Sequence, residues 1–276
     1  MQLSNPLVQS ALLALGLFLS LIVAQFAGRA IGRWRAGVRA GEKKSGSSTA
    51  VDGAVFALLG LLLAFTFTGA DARFQHRRDL VIEQVNALGT AWLRIDLLTA
   101  ADQPPIRDLF RRYVDQLRRV AVQSWDPQAL ARTIEDTVEL QDEIWALAVA
   151  AVERDGRPQV ATLLLPALNQ SFDLSNSRLA AARIHVHPQV LWFLFGIAIL
   201  SGIVAGRAQS ATPRPDLFHT LIFAGLISAT LYFILDLDYP RLGFIRLDSV
   251  DIMMDELRAS LGEVPAPSDL GSSASP

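Results

Sequence analysis

Four uncharged apolar stretches constrain the fold of this chain more than any other feature of its sequence. They cover residues 7–27, 53–70, 188–206 and 217–235. A helix needs roughly 20 mostly apolar residues, within a working range of about 17 to 25, to cross the hydrocarbon core of a bilayer. Each stretch has a length in this range, so the sequence predicts four membrane-spanning helices.

The polar segment between the second and third stretches, residues 71–187, has the pattern of a helical module. Its apolar residues recur at steps of three or four, and no part of it shows sustained strand alternation. Apolar positions up to Ile95 predict that the second stretch continues out of the membrane as an amphipathic helix. The predicted boundaries of the helices that follow are Pro104 with Pro105, Asp126 with Pro127, and Gly156 with Pro158. We therefore predict an all-α membrane protein with a helical extramembrane module between the second and third transmembrane helices.

This pattern divides the chain into five predicted parts. A first transmembrane pair covers residues 1–70, the helical module covers 71–187, and a second transmembrane pair covers 188–235. A post-membrane segment follows at 236–261. The last part, 262–276, is rich in Ser, Pro, Ala and Gly, and we expect it to be disordered.

Composition and motifs argue against several classes of function. The formal net charge of −2 gives no field that would attract nucleic acid, so we expect no such partner. The chain has no cysteine, which excludes thiolate catalysis, disulfides and cysteine-based zinc sites. It has no recognisable phosphate loop, nucleophile elbow or paired acid and base. We therefore expect no enzyme activity and no cofactor.

Metal sites are also not expected. His185 and His187 are two residues apart, which on a helix places them on nearly opposite faces, so we interpret them as interfacial residues. The acidic residues of the post-membrane segment lack the ligand pattern of an EF-hand loop and are typical of a solvated helix start; they are Asp248, Asp251, Asp255 and Glu256.

Small residues indicate how the transmembrane helices pack. They recur every four residues at Ala198, Gly202 and Gly206 in the third stretch, and as the pairs Ala224 with Ser228 and Gly225 with Ala229 in the fourth. This spacing allows helix backbones to approach closely in lipid. We favour packing within one bundle over a contact between subunits.

A more specific pattern lies where the second stretch meets the helical module. It reads Leu63-Ala64-Phe65, Ala70, Arg73-Phe74, Arg78, Leu80 and Val85-Asn86, and a weaker pattern after the fourth stretch reads Asp238-Tyr239-Pro240, Gly243 and Asp248. Together with the four-span layout, these residues resemble the bestrophins, and the chain looks closest to their bacterial relatives. Asn86, Pro240 and Gly243 are signature residues of this resemblance, whereas Thr66 and Gln75 depart from it.

The resemblance implies an ion channel whose second transmembrane helix lines a hydrophobic neck. Carried over by position, the neck residues are Ala57, Leu61 and Phe65. Their spacing of four places them on one helix face, and an apolar ring gates by dewetting. The alternative is that these three side chains pack inside the bundle.

Basic residues follow the predicted neck at Arg73, His76, Arg77 and Arg78. The resemblance implies a homo-oligomer, a pentamer in the bestrophins, in which these residues would form a positive belt that concentrates anions at the pore mouth. Alternatively, the arginines contact lipid phosphates or pair with Asp71 and Asp79. For Arg73 and Arg78, a third role is to hold the helix junction.

A second hypothesis comes from a different class of function: a non-conducting scaffold or sensor whose helical module binds a partner. Under either hypothesis the lipid bilayer is a partner and the resemblance implies a multi-pass protein of the bacterial inner membrane. The resemblance also implies that the module is cytosolic. The positive-inside rule indicates the opposite, because the loops after the first and third stretches carry many Arg and Lys residues.

Overall fold

α-Helices make up the structure. The computed structural model describes residues 6–38, 47–122, 127–212, 214–239 and 248–262. The α-helices in these ranges are Pro6–Val38 (α1), Ser47–Ile95 (α2), Gln103–Val122 (α3), Pro127–Asp155 (α4), Pro158–Arg183 (α5), Pro188–Ala208 (α6), Leu217–Asp238 (α7) and Asp248–Ser260 (α8), with a 3-10 turn at Gln209–Ala211. No strand occurs in this part of the chain, which confirms the predicted all-α class.

Four regions of the structure are long and apolar enough to cross a membrane. They lie within Leu12–Ala36, Ala50–Ile95, Pro158–Ala211 and Leu217–Asp238. This confirms a four-span membrane protein with a helical segment between its second and third spans. Several predictions lie outside the described residues, namely those for Asp126, Pro240, Gly243 and positions 263–276 of the tail.

Proline and glycine set the helix boundaries where the sequence predicts them. Pro104 lies in the first turn of α3, where its missing N–H has no intrahelical partner to lose. Gly156 separates α4 from α5 with φ of +68°, a left-handed conformation that glycine adopts without a steric penalty. The second span continues without a break to Ile95, as its periodicity predicts.

The chain divides into two compact units. The membrane unit comprises Met1–Gln75 and Ile184–Arg246, and the helical unit comprises His76–Arg183 and Leu247–Pro276. In the membrane unit, α1 packs against α6 and α7. Its core is a cluster of buried apolar residues that includes Leu21, Leu59, Leu63, Leu194 and Ile234.

Glycine allows α1 and α6 to approach each other closely. A Cβ atom on Gly28 of α1 would lie 2.0 Å from the backbone oxygen of Ile203, and one on Gly206 of α6 would lie 1.8 Å from the backbone oxygen of Gln25. Both distances are far below van der Waals contact, so neither position has room for a side chain. The small-residue spacing of the third stretch thus serves packing within one bundle.

The helical unit has an aromatic core with a polar centre. Phe110 and Tyr113 of α3 are fully buried, and the Tyr113 ring meets Phe172 of α5 edge-to-face with 5.5 Å between centroids. The Tyr113 hydroxyl accepts a hydrogen bond from Gln141 Nε2 at 3.1 Å. Burial raises the pKa of Tyr113 to about 12.

Helix α8 docks on α3 in the same unit. Arg258 forms two hydrogen bonds to the carboxylate of Asp115, at 2.8 and 3.0 Å, and Arg118 Nε donates to Asp255 at 2.6 Å. Just after α8, Leu261 is buried. The acidic residues at this end of the chain therefore include one, Asp255, that is an ion-pair partner of α3.

Candidate functional site

The membrane-spanning part of α2 has an inner and an outer face. Leu59 and Leu63 are buried in the core of the membrane unit. Leu61 and Phe65 each follow one of them by two residues, about half a helical turn, and are 52% and 67% exposed. Ala57 is exposed too. Of the four apolar regions, the one in α2 is the least buried by its own chain.

The three predicted neck residues therefore share one face of α2, and the described part of the chain does not cover that face. This exposure argues against the alternative that they pack inside the bundle. An uncovered row of apolar side chains faces lipid, another subunit or a pore axis. The geometry of one protomer is compatible with all three.

The same face of α2 becomes more polar beyond Phe65. Continuing at helical spacing, Thr68, Ala72 and His76 are all exposed. Thr68 Oγ1 donates to the backbone oxygen of Ala64 at 2.9 Å, which satisfies its hydroxyl proton within the helix. The face thus runs from apolar side chains to a hydroxyl and then to a titratable imidazole.

Arg73 is engaged within the membrane unit. Its Nε donates to Oδ1 of Asp238 at 2.7 Å, and Asp238 is almost completely buried at the end of α7. The backbone N–H of Val186 donates to the other carboxylate oxygen of Asp238 at 2.8 Å. The structure thus supplies a distant partner for Arg73 rather than the neighbouring Asp71 or Asp79, and this contact supports a role in holding the helix junction.

His185 lies beside the same residue, Asp238. Its Nδ1 lies 3.2 Å from the backbone oxygen of Asp238, and its ring stacks on Tyr239 with 4.3 Å between centroids. Residues 184–187 are not helical, so the expectation that His185 and His187 lie on opposite faces of a helix is wrong. No cluster of three or more potential metal ligands occurs within the described residues.

The other basic residues after the neck differ in exposure. Arg77 is only 7% exposed, and its Nε donates to the backbone oxygen of Ala181 at 3.2 Å. Arg78 is exposed, as is the signature residue Asn86. Of the three arginines predicted for a pore mouth, Arg78 alone presents an exposed side chain.

Sequence reasoning did not identify Asp238 as a functional partner. The residue lies in the weaker of the two signature segments, but its pairing with Arg73 joins positions 165 residues apart. Its place at the end of an otherwise apolar span was the available signal, since a carboxylate there needs a counter-charge.

The chain is similar to bestrophin-like proteins in sequence and in fold. A family model described as the bestrophin-like domain matches residues 19–251. Two crystal structures of point variants of a bacterial bestrophin homologue from Klebsiella pneumoniae each superpose with a TM-score of 0.68, at 13% and 14% identity, covering 89% and 90% of this chain and 96% of theirs. The crystal structure of a protein described only as a membrane protein also superposes with a TM-score of 0.68, at 13% identity, covering 91% of this chain and 99% of its own. No curated protein sequence matches the chain.

Proposed function

Because the chain belongs to the bestrophin-like family, we propose that it forms a homo-oligomeric anion channel in which α2 lines the pore. The observation that carries the proposal is the exposed face of α2 formed by Ala57, Leu61 and Phe65. We further propose a bacterial inner-membrane location. A pentamer is the assembly that the family resemblance favours.

An oligomer accounts for the low burial of α2. Helices in lipid associate through close packing and polar contacts, because lipid tails are as apolar as the side chains they would replace. In the membrane unit, α1 packs against α6 and α7, whereas α2 is the least buried of the apolar regions. Contacts between copies of α2 around an axis would supply packing that one protomer lacks.

A ring of such helices would create a hydrophobic constriction. Leu61 and Phe65 would each contribute one large apolar side chain per subunit, and a narrow apolar ring gates ion flow by losing its water. Ala57 is smaller and would leave a wider ring. The polar surface at Thr68 and His76 would follow the constriction on the same helix face.

Anion preference would come from positive charge beyond the constriction. Arg78 is exposed at this position, as is the neighbouring His76. Arg73 and Arg77 are less exposed than Arg78, so they would contribute to the field without offering a fully exposed guanidinium. Such a field attracts anions less strongly as ionic strength rises.

The proposal is tested by ion flux from liposomes that contain the purified protein. We expect an anion-biased flux that Phe65→Ala increases several-fold, because the substitution widens the constriction. Phe67→Ala is the matched control: Phe67 is also exposed, at 44%, but lies about half a turn away from Phe65. Absence of flux from all three proteins, with insertion verified, would rule out a channel. An equal increase of flux in both variants would show that the face of α2 formed by Ala57, Leu61 and Phe65 does not line the pore.

A second candidate function is a non-conducting scaffold whose helical unit binds a protein. The observation that favours it is a pair of exposed apolar residues on one side of α4, Val138 and Trp145, at 46% and 38% exposure. A partner that co-purifies with the intact protein, and is lost from Trp145→Ser without loss of thermal stability, would support this function. Retention of the partner by Trp145→Ser would exclude this surface of α4 as the binding site.

A further inference from the structure

Arg29 is a buried cation near the C-terminal end of α1. Its side chain is only 6% exposed. Its Nη2 donates to the backbone oxygen of Thr212 at 2.7 Å, and its Nη1 lies 3.4 Å from Thr212 Oγ1. Both acceptors are neutral, and no carboxylate pairs with Arg29 in the described part of the chain. A buried charge of this kind is normally accompanied by a counter-charge.

A second guanidinium converges on the same point. Arg33 lies one helical turn after Arg29, and its Nη2 donates to the same Thr212 oxygen at 3.2 Å. Two like charges that share one neutral acceptor repel each other. An anion placed between the two guanidinium groups would remove this repulsion.

The carboxylates at this end of the membrane unit have other partners. Asp52 pairs with Arg207, and Asp216 caps α7 and pairs with the ring of His219 at 2.6 Å. Arg35 and Arg214 add two further exposed arginines. Neither of these two aspartates is therefore a counter-charge for Arg29.

The chemistry of the two groups selects the type of anion. A guanidinium presents several N–H donors in a rigid plane, an arrangement that matches the oxygens of a phosphate group. Basic side chains close to the end of a transmembrane helix recognise anionic lipid headgroups. A headgroup phosphate therefore fits both the charge and the donor geometry.

The adjoining face of α1 is suited to lipid. Val23, Phe26 and Trp34 are 66%, 44% and 70% exposed, and their spacing places them along one side of the helix. Tryptophan near a helix end is typical of the membrane interface. Arg33 lies at the edge of this apolar face, while Arg29 lies deeper, against the segment that precedes α7.

We propose that Arg29 and Arg33 bind the phosphate of an anionic phospholipid whose acyl chains lie along Val23 and Phe26, with Trp34 beside the headgroup. The site is part of the membrane unit alone and uses none of the residues assigned to the pore. It does not depend on conduction, so failure of the channel proposal leaves it standing, and its own failure leaves the channel proposal unaffected.

The test measures lipid binding to the purified full-length protein in detergent. Phosphatidylglycerol, phosphatidylcholine and inorganic phosphate are added separately, and bound lipid is counted by native mass spectrometry alongside thermal unfolding. We expect phosphatidylglycerol to bind and stabilise the wild type, and Arg33→Gln to bind it about fivefold more weakly, since each basic group near an anionic lipid surface contributes about that factor. Arg29→Gln should act in the same direction.

The control is Arg35→Gln, which removes an exposed arginine two residues from Arg33 and should bind as the wild type does. Arg33→Gln decides the outcome if the buried substitution impairs folding. Unchanged binding in Arg33→Gln overturns the site, as does an equal loss in Arg35→Gln, which would indicate a diffuse charge effect. Equal stabilisation by inorganic phosphate, or equal binding of phosphatidylcholine, overturns the assignment to an anionic lipid.

Discussion

Arg73 and Asp238 form an ion pair that joins α2 to the end of α7, with 2.7 Å between Arg73 Nε and Asp238 Oδ1. The carboxylate is 1% exposed, whereas the arginine side chain is 27% exposed. Asp238 also accepts the N–H of Val186, just before α6. One buried carboxylate thus holds together three parts of the membrane unit, and this is the physical basis for a structural role of Arg73.

Removing the charge of Asp238 should destabilise the protein. Asp238→Asn leaves Arg73 without its counter-ion, and we expect a loss of about 2–3 kcal/mol in the free energy of unfolding, less than for a fully buried pair because Arg73 is partly exposed. Thermal unfolding in detergent measures this loss. Asp79→Asn, at an exposed position on α2, should change stability by less than about 0.5 kcal/mol. Equal stability of the two variants would contradict a structural role for the pair.

Three glycine substitutions should form a graded series. Gly206→Ala places a methyl group against the backbone of Gln25, so we expect a loss of about 3 kcal/mol or failure to fold. Gly202→Ala meets the Ala24 side chain at 3.2 Å and Leu21 at 3.4 and 3.5 Å, which is close to ordinary contact, and should cost less. Gly225→Ala has nothing within 4 Å and should be neutral or slightly stabilising. Expression level and unfolding temperature report the order, and an equal effect at all three positions would rule out the close approach of α1 and α6.

Tyr113 should make stability depend on alkaline pH. Its pKa is raised from 10.0 to about 12 because burial disfavours the tyrosinate. The folded state therefore keeps the proton after the unfolded chain has lost it. Stability is unaffected below about pH 10 and falls by about 1.4 kcal/mol for each pH unit between roughly 10 and 12.

Ultraviolet titration measures the ionisation of Tyr113 directly, since the chain has only three tyrosines. We expect a late ionisation that is missing from Tyr113→Phe and present in Tyr239→Phe. Stability of Tyr113→Phe should also fall less steeply over the same pH range. A high-pH titration of Tyr113→Phe that loses no late ionisation would contradict the burial of Tyr113.

Loss of Arg258 should loosen α8. Its two hydrogen bonds to Asp115 form a bidentate ion pair, so Arg258→Gln should weaken docking on α3 by about 1 kcal/mol. Hydrogen exchange of residues 248–262 should then be about fivefold faster. Glu256→Gln changes an exposed neighbour on the same helix and should leave exchange unchanged. Faster exchange in both variants would assign the effect to helix charge rather than to the ion pair.

The fold was largely predictable because it depends on local signals. Apolar length gives the spans, and the periodicity that continues to Ile95 predicts the extension of α2. Pro158 and Gly156 fix a helix start and a break by backbone geometry alone. The packing of α6 was also predicted from its small residues, but the partner glycine on α1, Gly28, was missed.

The candidate site was predictable only in part. The shared face of Ala57, Leu61 and Phe65 follows from helical spacing, so sequence alone could propose it. Its exposure depends on where α1, α6 and α7 pack, which no local pattern states. One of the alternatives for Arg73 was an ion pair with a neighbour on α2, whereas the structure provides Asp238, and a pairing over 165 positions requires the tertiary fold.

The separation between Arg73 and Asp238 has a consequence for biosynthesis. The two residues are 165 positions apart, so the arginine is translated and its helix can insert long before the aspartate exists. Until the last transmembrane helix is synthesised, Arg73 lacks its counter-ion at the end of an apolar span. The ion pair therefore forms only when synthesis is nearly complete. In a chain truncated before Asp238, Arg73 would stay without this counter-ion, and quality-control proteases could recognise the incompletely folded membrane unit.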